Sequence, residues 1–263
     1  MLKSVQVKLT LTEKSTVDAA QHDRQGISLA VSTVIFALRP HPETGLSTVW
    51  IPLVRRIRDP FDRLWALPGG WVSAEESLAD AAARNLLETT SLAPTYLEQL
   101  YAFGGVDRSP GRRVVSIVYW ALVRQEEAER ASEGDNVRWF PADELPSLAF
   151  DHNLIVEYAL WRLRTKMEYS RIARAFLGET FTLSELRIVH EAVLQRQLDP
   201  ANFRRLVAAS KTLVPTDHVV VGGRHRPPRL YRYDETMELV DNGPLGSERA
   251  GQEETLGSTR VIS

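Results

Sequence analysis

Apolar residues recur along this chain with two periods, and the change of period separates its two halves. WIPLVRRIRDPFDRLWALPGG, residues 50–70, reads as an apolar strand, a charged connector, a second short strand and a tight turn at Gly69-Gly70. YLEQLYAFGGVDRSPGRRVVSIVYWALV, residues 96–123, gives two strands around a loop that turns at Pro110-Gly111. Between them, GWVSAEESLADAAARNLLETTSL carries a helical pattern, and Ser73 with Glu76 three residues on predicts a capping box at its start. From residue 151 the helical period dominates. DHNLIVEYALWRLRTKMEYS places Leu154, Ile155, Tyr158, Ala159, Leu160 and Leu163 on one face.

The helices that follow are short and sharply punctuated. Thr182 and Glu185 form another capping box, Leu183, Leu186, Val189 and Val193 line one face, and the helix should stop near Gln197. Asp199 can cap a second helix with Pro200 at its first position, where the missing amide costs nothing. On that helix Phe203, Leu206 and Val207 should point inward, with Asn202, Arg204, Arg205 and Ala208 outward. LVPTDHVVV (213–221) and RLYRY (229–233) read as two strands joined by GGRHRPP. A helix-turn-helix followed by a hairpin is the pattern of a winged helix, whose second helix lies in the DNA major groove.

Composition narrows the setting. At 263 residues the chain has room for two modest cores, and it contains no cysteine, which excludes disulfides and thiolate metal sites. No apolar run approaches a membrane span, and the first residues lack the apolar core of a signal peptide, so a cytoplasmic protein without a membrane partner is expected. Residues 1–25 read as a flexible arm and 237–263 as a disordered tail, leaving domains over 26–160 and 161–236. Lys plus Arg against Asp plus Glu run 16 to 19 over residues 1–150, 14 to 8 over 151–233, and 2 to 7 beyond. A basic block between two acidic ones suits a domain that meets a polyanion, although a solvated cationic face gives the same count.

Residues 70–92 also carry candidate chemistry. Set against the Nudix box, Gly-x5-Glu-x7-Arg-Glu-x-x-Glu-Glu-x-Gly, the sequence keeps Gly70, Glu76, Arg84 and Glu88 but has Asn85, Thr89 and Ser91 where the pattern has Glu, Glu and Gly. Positions 85, 88 and 89 share one helical face, where three glutamates would make a site for a hard divalent cation; here Glu88 is the only carboxylate among them. Residues 28–150 thus resemble a Nudix domain with a weakened metal site. With LAFDH at 148–152, FTLSELRIVHEAVL, LDPANFRRL and HRPPRLYRY, residues 28–233 closely resemble the NrtR family, Nudix-related transcriptional regulators of NAD metabolism.

That resemblance implies a Nudix-like α/β/α sandwich followed by a winged helix-turn-helix domain. It also implies a homodimer on palindromic double-stranded operator DNA near NAD biosynthesis genes, released when the Nudix-like domain binds ADP-ribose. No residue is assigned a catalytic or metal-binding role, no cofactor is required, and magnesium binding is expected to be weak or absent. A ligand diphosphate without its metal should rely on arginines, since guanidinium grips phosphate oxygens in pairs. The expected effector contacts are Arg55, Arg56, Trp65, Gly69, Gly70, Glu76, Glu88, Phe103 and Arg108, with Arg112 and Arg113 as further candidates. Trp65 or Phe103 could stack on adenine, core packing being the plainer role for both. Arg84 is expected to orient Glu76 or Glu88 through an ion pair.

The expected DNA contacts are Thr182, Ser184, Arg187, Asn202, Arg204, Arg205, Lys211, Arg224, His225 and Arg226. Asn suits adenine edges, and Arg suits guanine edges or phosphate. The competing reading is a working pyrophosphatase on ADP-ribose or a related nucleotide that uses Glu75, Glu76 and Glu88, with the second domain serving dimerisation. An RNA-binding module would need exposed aromatic residues that the basic block does not display.

Overall fold

The computed structural model describes residues 26–94, 96–131, 134, 136–169, 172–210, 212–219 and 228–234. The N-terminal arm, the C-terminal tail, Lys211, Arg224, His225 and Arg226 lie outside the described residues. The chain divides into two compact units, one ending at Trp161 and the other starting at Arg162. Among the described residues, no helix is long and apolar enough to cross a membrane.

The first unit runs β1 (Ser28–Pro40), β2 (Ser47–Arg55), β3 (Trp65–Ala66), β4 (Gly69–Trp71), α1 (Leu78–Thr90), β5 (Tyr96–Phe103), β6 (Val114–Val123), α2 (Gln125–Arg130) and β7 (Val137–Pro141), and α3 (His152–Tyr169) follows. The strands form one mixed sheet in the order β3-β2-β1-β6-β5, with β4 on β1 and β7 on β2. β1 and β6 are parallel, from Ser28 opposite Val114 to Ala37 opposite Val123. Both are buried on both faces, because Val34, Ile35, Phe36 and Ala37 are all fully enclosed, as are Trp120 and Ala121. Continuous apolar strands of this kind require cover on each side.

On one face, Ala81 and Ala82 of α1 pack with Val31 and Tyr119, and Leu86 packs with Ile35 and Ala121. On the other, Tyr158 of α3 lies against Tyr101 and Phe103, at centroid distances of 5.5 and 6.0 Å. Their β6 partners, Val118 and Ser116, alternate with the residues that face α1. Full burial of a side chain such as Ile35 or Leu86 contributes roughly 1.5–3 kcal/mol. The result is the expected α/β/α sandwich.

Two local expectations change. α1 begins later than the Ser73–Glu76 pair suggests. Its N-cap is Ser77, whose hydroxyl accepts from the Asp80 amide at 3.1 Å, while Glu76 accepts from the Ser73 amide at 2.7 Å within the preceding turn. Gly69-Gly70 is not a turn but the start of β4, paired with Ser32 and Val31. A Cβ at Gly69 would sit 2.3 Å from the Val31 carbonyl oxygen, and one at Gly70 would sit 2.2 Å from Asn85 Oδ1. The glycines permit close approach of β4 to β1 and α1.

The second unit contains a 3-10 turn (Ile172–Phe176), α4 (Leu183–Leu194), α5 (Pro200–Ser210) and the hairpin of β8 (Leu213–Val219) with β9 (Arg229–Tyr233). Both expected caps form: Thr182 and Glu185 bond reciprocally, and Asp199 Oδ1 accepts from the Asn202 amide at 2.7 Å. α4 ends at Leu194 with Gln195 left-handed, slightly earlier than expected. Glu191 holds the turn by accepting from the Leu198 amide at 2.8 Å. Phe181 exchanges backbone hydrogen bonds with Tyr231 and packs on Tyr233, tying the hairpin to the start of α4. Phe203 is buried against His190, but Leu206 is 61% exposed, contrary to expectation. The inward face of α5 centres on Phe203 and half-buried Val207, four residues apart, which turns Leu206 aside.

Candidate functional site

The chemistry of the box is settled by one guanidinium. Arg84 donates to both carboxylate oxygens of Glu76, at 2.9 and 2.7 Å, and to Glu88 at 3.4 Å. Hydrogen bonding by Arg84, with a further bond from the Ser73 amide, holds the Glu76 carboxyl well below its usual range, at about 2. Asn85 is buried beneath Gly70 and donates to the Ala81 carbonyl at 2.7 Å, and the Thr89 hydroxyl donates to the Asn85 carbonyl. These residues fit a divalent ion poorly: of positions 85, 88 and 89 only Glu88 carries a carboxylate, and the polar groups of Asn85 and Thr89 are spent on their own helix. Among the described residues, no group of three or more acidic or histidine side chains is placed to hold a metal.

A cavity of about 760 Å³ opens where β1 exchanges neighbours, pairing with β4 near Ser32 and with β2 beyond Ala37. Its wall includes Arg55, Arg56, Arg58, Arg108 and Arg112, against a single acidic residue, Asp59, among the described residues. Several of these cations are fixed in place. Arg108 meets Asp151 through Nε and Nη2 at 2.9 and 2.7 Å, with only 6% of its side chain exposed. Arg56 donates to the carbonyls of Pro60 and Arg58 and lies over the Phe150 ring, 4.6 Å from its centroid. Burial, and then the neighbouring Arg58, pull Arg56 below its ordinary pKa, partly offset by Asp62. Fixed guanidinium groups of this kind are ready-made partners for phosphate oxygens.

Arg55, Arg56, Gly69, Gly70 and Arg108 therefore meet at one cavity. Trp65, Glu76, Glu88 and Phe103 do not line it: Trp65 packs edge-on against Phe140 at 5.1 Å, and Phe103 packs against Tyr101 and Tyr158. Arg113 is occupied by the carbonyls of Gly105 and Val114. An exposed aromatic residue that does line the cavity is Trp71, 54% exposed and faced by Arg112 at 5.4 Å. Sequence reasoning also passed over Ser32, Ser116, Phe150 and His152. LAFDH was available as a signal, since a polar pair after a small apolar run opens α3, but nothing in the sequence shows that α3 starts at the cavity.

In the second unit, Ser184, Asn202, Arg204 and Arg205 are exposed, and Arg205 donates to Asn202 Oδ1 at 2.6 Å. Thr182 is buried with its hydroxyl used as the α4 cap, and Arg187 is paired with Glu191 at 2.6 Å. These two serve the helix rather than a free surface.

A Nudix-type sheet with an arginine-lined cavity, followed by a winged helix, defines a class of fused sensor and DNA-binding domains. Known proteins bear this out: residues 30–159 match the NUDIX domain and residues 173–233 match the NrtR DNA-binding winged helix domain. The chain is 34% identical over 189 residues to the ADPR responsive transcriptional repressor NtrR of Acinetobacter baylyi, covering 70% of this chain and 75% of that protein. The crystal structure of Shewanella oneidensis NrtR complexed with a 27mer DNA is similar at a TM-score of 0.64 and 34% identity, over 78% of this chain and 93% of that one. An ADP-ribose pyrophosphatase of Methanocaldococcus jannaschii is 34% identical over 113 residues, 43% of this chain and 67% of that protein. The chain belongs to the NrtR family.

Proposed function

We propose that this protein is a transcriptional repressor of NAD biosynthesis genes that binds operator DNA through its winged helix and leaves it when ADP-ribose fills the Nudix cavity. The observation that carries this reading is the placement of Asn85 and Thr89, both bonded within their own helix, where a hydrolase would keep metal-binding carboxylates, beside a cavity walled by arginines. Such a site can hold a diphosphate without activating water against it. Exposed Asn202, Arg204 and Arg205 on α5 suit base edges and phosphates in the major groove. A homodimer would match the two halves of a palindrome.

ADP-ribose can shift the DNA equilibrium only by its difference in affinity between the operator-competent and incompetent forms. The chain passes from one unit to the other within α3, whose first residue lines the cavity, and this helix is the proposed carrier of that difference. Fluorescence anisotropy with the palindrome upstream of a NAD biosynthesis operon tests the reading. Salt-sensitive binding that ADP-ribose reverses is expected; DNA binding indifferent to ADP-ribose would defeat it.

The similarity to an ADP-ribose pyrophosphatase favours a second reading, a hydrolase. Incubation with ADP-ribose and magnesium separates the two, since rapid, Glu88-dependent release of AMP belongs to the enzyme alone.

A further inference from the structure

The cavity wall contains a hydrogen-bond donor that neither the box nor the arginines account for. His152, the first residue of α3, is 5% exposed and lines the cavity. Its Nδ1 accepts from the Leu67 amide at 3.0 Å. An imidazole nitrogen that accepts carries no proton, so the neutral ring must bear its proton on Nε2. Burial keeps the ring neutral, lowering its pKa to about 3, with Asp151 opposing and Arg108 and Arg56 reinforcing the shift. Among the described residues, Nε2 has no hydrogen-bond partner. Nε2 is not one of the wholly enclosed unpaired atoms, which leaves this donor accessible to a ligand oxygen in the cavity.

The surroundings select the kind of oxygen. The arginines of the wall are charged and suited to phosphate, whereas His152 offers a neutral N–H. Leu67, which His152 holds, is two residues from Gly69, and Gly69 pairs with Ser32. The Ser32 hydroxyl shares a 3.0 Å hydrogen bond with that of Ser116, and both residues line the same cavity. The histidine and the two hydroxyls are thus uncharged polar groups on the wall that also carries the arginines. Uncharged donors beside hydroxyls match a sugar better than a phosphate.

We propose that His152 is a ligand-binding residue, donating through Nε2–H to a sugar hydroxyl of a diphosphate-linked ligand while the arginines hold the diphosphate. This rests on the reading of the cavity as an ADP-ribose site. Two substitutions divide the ring's two nitrogens. His152→Asn keeps an acceptor at the Nδ1 position for Leu67 but has nothing at the reach of Nε2, and His152→Gln does the reverse.

Calorimetric titration of the full chain with ADP-ribose and with inorganic pyrophosphate, alongside thermal melting, provides the test. His152→Asn should weaken ADP-ribose about 10-fold, the worth of one hydrogen bond, and leave pyrophosphate within about 2-fold. His152→Gln should retain most ADP-ribose affinity yet melt at lower temperature. If His152→Asn weakens both ligands alike, or neither, the histidine is structural and the inference is overturned while the ADP-ribose site stands. If the unaltered protein binds no ADP-ribose, the reading of the cavity falls first and takes the inference with it.

Discussion

The two units hold their arginines in opposite ways. Around the Nudix cavity two guanidinium groups are fixed by the fold, Arg108 by Asp151 and Arg56 by carbonyls and the Phe150 ring, while Arg112 faces Trp71. On α5, Arg204 and Arg205 stand exposed, and among the described residues the contact of Arg205 with Asn202 is their one restraint. A small diphosphate that lacks a bridging metal needs cations in fixed positions, because the ligand cannot organise several long side chains at low cost. DNA offers phosphate charge along its whole length and releases counterions on binding, so exposed arginines suffice there.

The largest expected effect breaks one side of this contrast and leaves the other intact. Arg204→Ala with Arg205→Ala should reduce operator affinity about 100-fold, at roughly 1–3 kcal/mol for a base-reading arginine and less for one on phosphate. The salt dependence should flatten by about one contact for each phosphate lost. ADP-ribose affinity, measured by calorimetry, should stay within about 2-fold. A parallel loss of ADP-ribose binding would show that the two surfaces are not separate.

The converse substitution is smaller. Arg56→Ala should weaken ADP-ribose by about 10- to 100-fold, in keeping with charge-assisted hydrogen bonds of roughly 1.5–3 kcal/mol. Ligand-free protein should bind the operator as before, and anisotropy with and without ADP-ribose reads both quantities. Unchanged ADP-ribose binding would remove Arg56 from the site.

These residues also mark how far the sequence could be read. The sandwich and the winged helix were legible because their signals are local: period, capping boxes, and Pro200 behind Asp199. Arg55 and Arg56, at the end of β2, could be named for the same reason, and both line the cavity. Trp71 and His152 were not, since they reach the cavity through the β1–β4 pairing and the placement of α3, contacts between segments far apart in sequence. Trp65 and Phe103 lie outside the lining of this cavity, and an aromatic residue at a strand end looks alike in sequence whether it packs inward or faces a ligand. The Ser73–Glu76 pair was a real motif in the wrong place, closing the turn before the helix that Ser77 begins.

The first unit contains a buried histidine and the second a half-buried one, and acid should act on both. His152 in the first unit is lowered to about 3 and His190 in the second to about 4, in each case chiefly by burial. Both folded-state values lie below the ordinary 6.5, so unfolding takes up protons at acid pH. The stability each contributes is complete above pH 6.5 and is lost as the pH falls toward its folded value. The slope is about 1.4 kcal/mol per pH unit for each fully buried group and less for His190. Urea denaturation between pH 7 and 5 should show this loss, and His190→Phe should lessen it. An unaltered slope in that variant would mean that His190 is more accessible than its packing on Phe203 indicates.

The smallest expected effect bears most directly on the box. In a Nudix hydrolase a divalent ion links the helix carboxylates to the ligand phosphates, so removing the ion should cost both affinity and chemistry. Here Arg84 already bridges Glu76 and Glu88, Asn85 is turned into its own helix, and neither carboxylate lines the cavity. Exchanging millimolar magnesium for EDTA should therefore change ADP-ribose affinity by less than about 2-fold at constant ionic strength, with the remainder reflecting magnesium bound to the free ligand. A loss of about 10-fold or more in EDTA would mean that an ion displaces Arg84 from its carboxylates when ligand binds. The first unit would then hold its ligand through the box as well as the arginine wall, and the contrast between fixed and exposed cations would no longer account for ligand binding there.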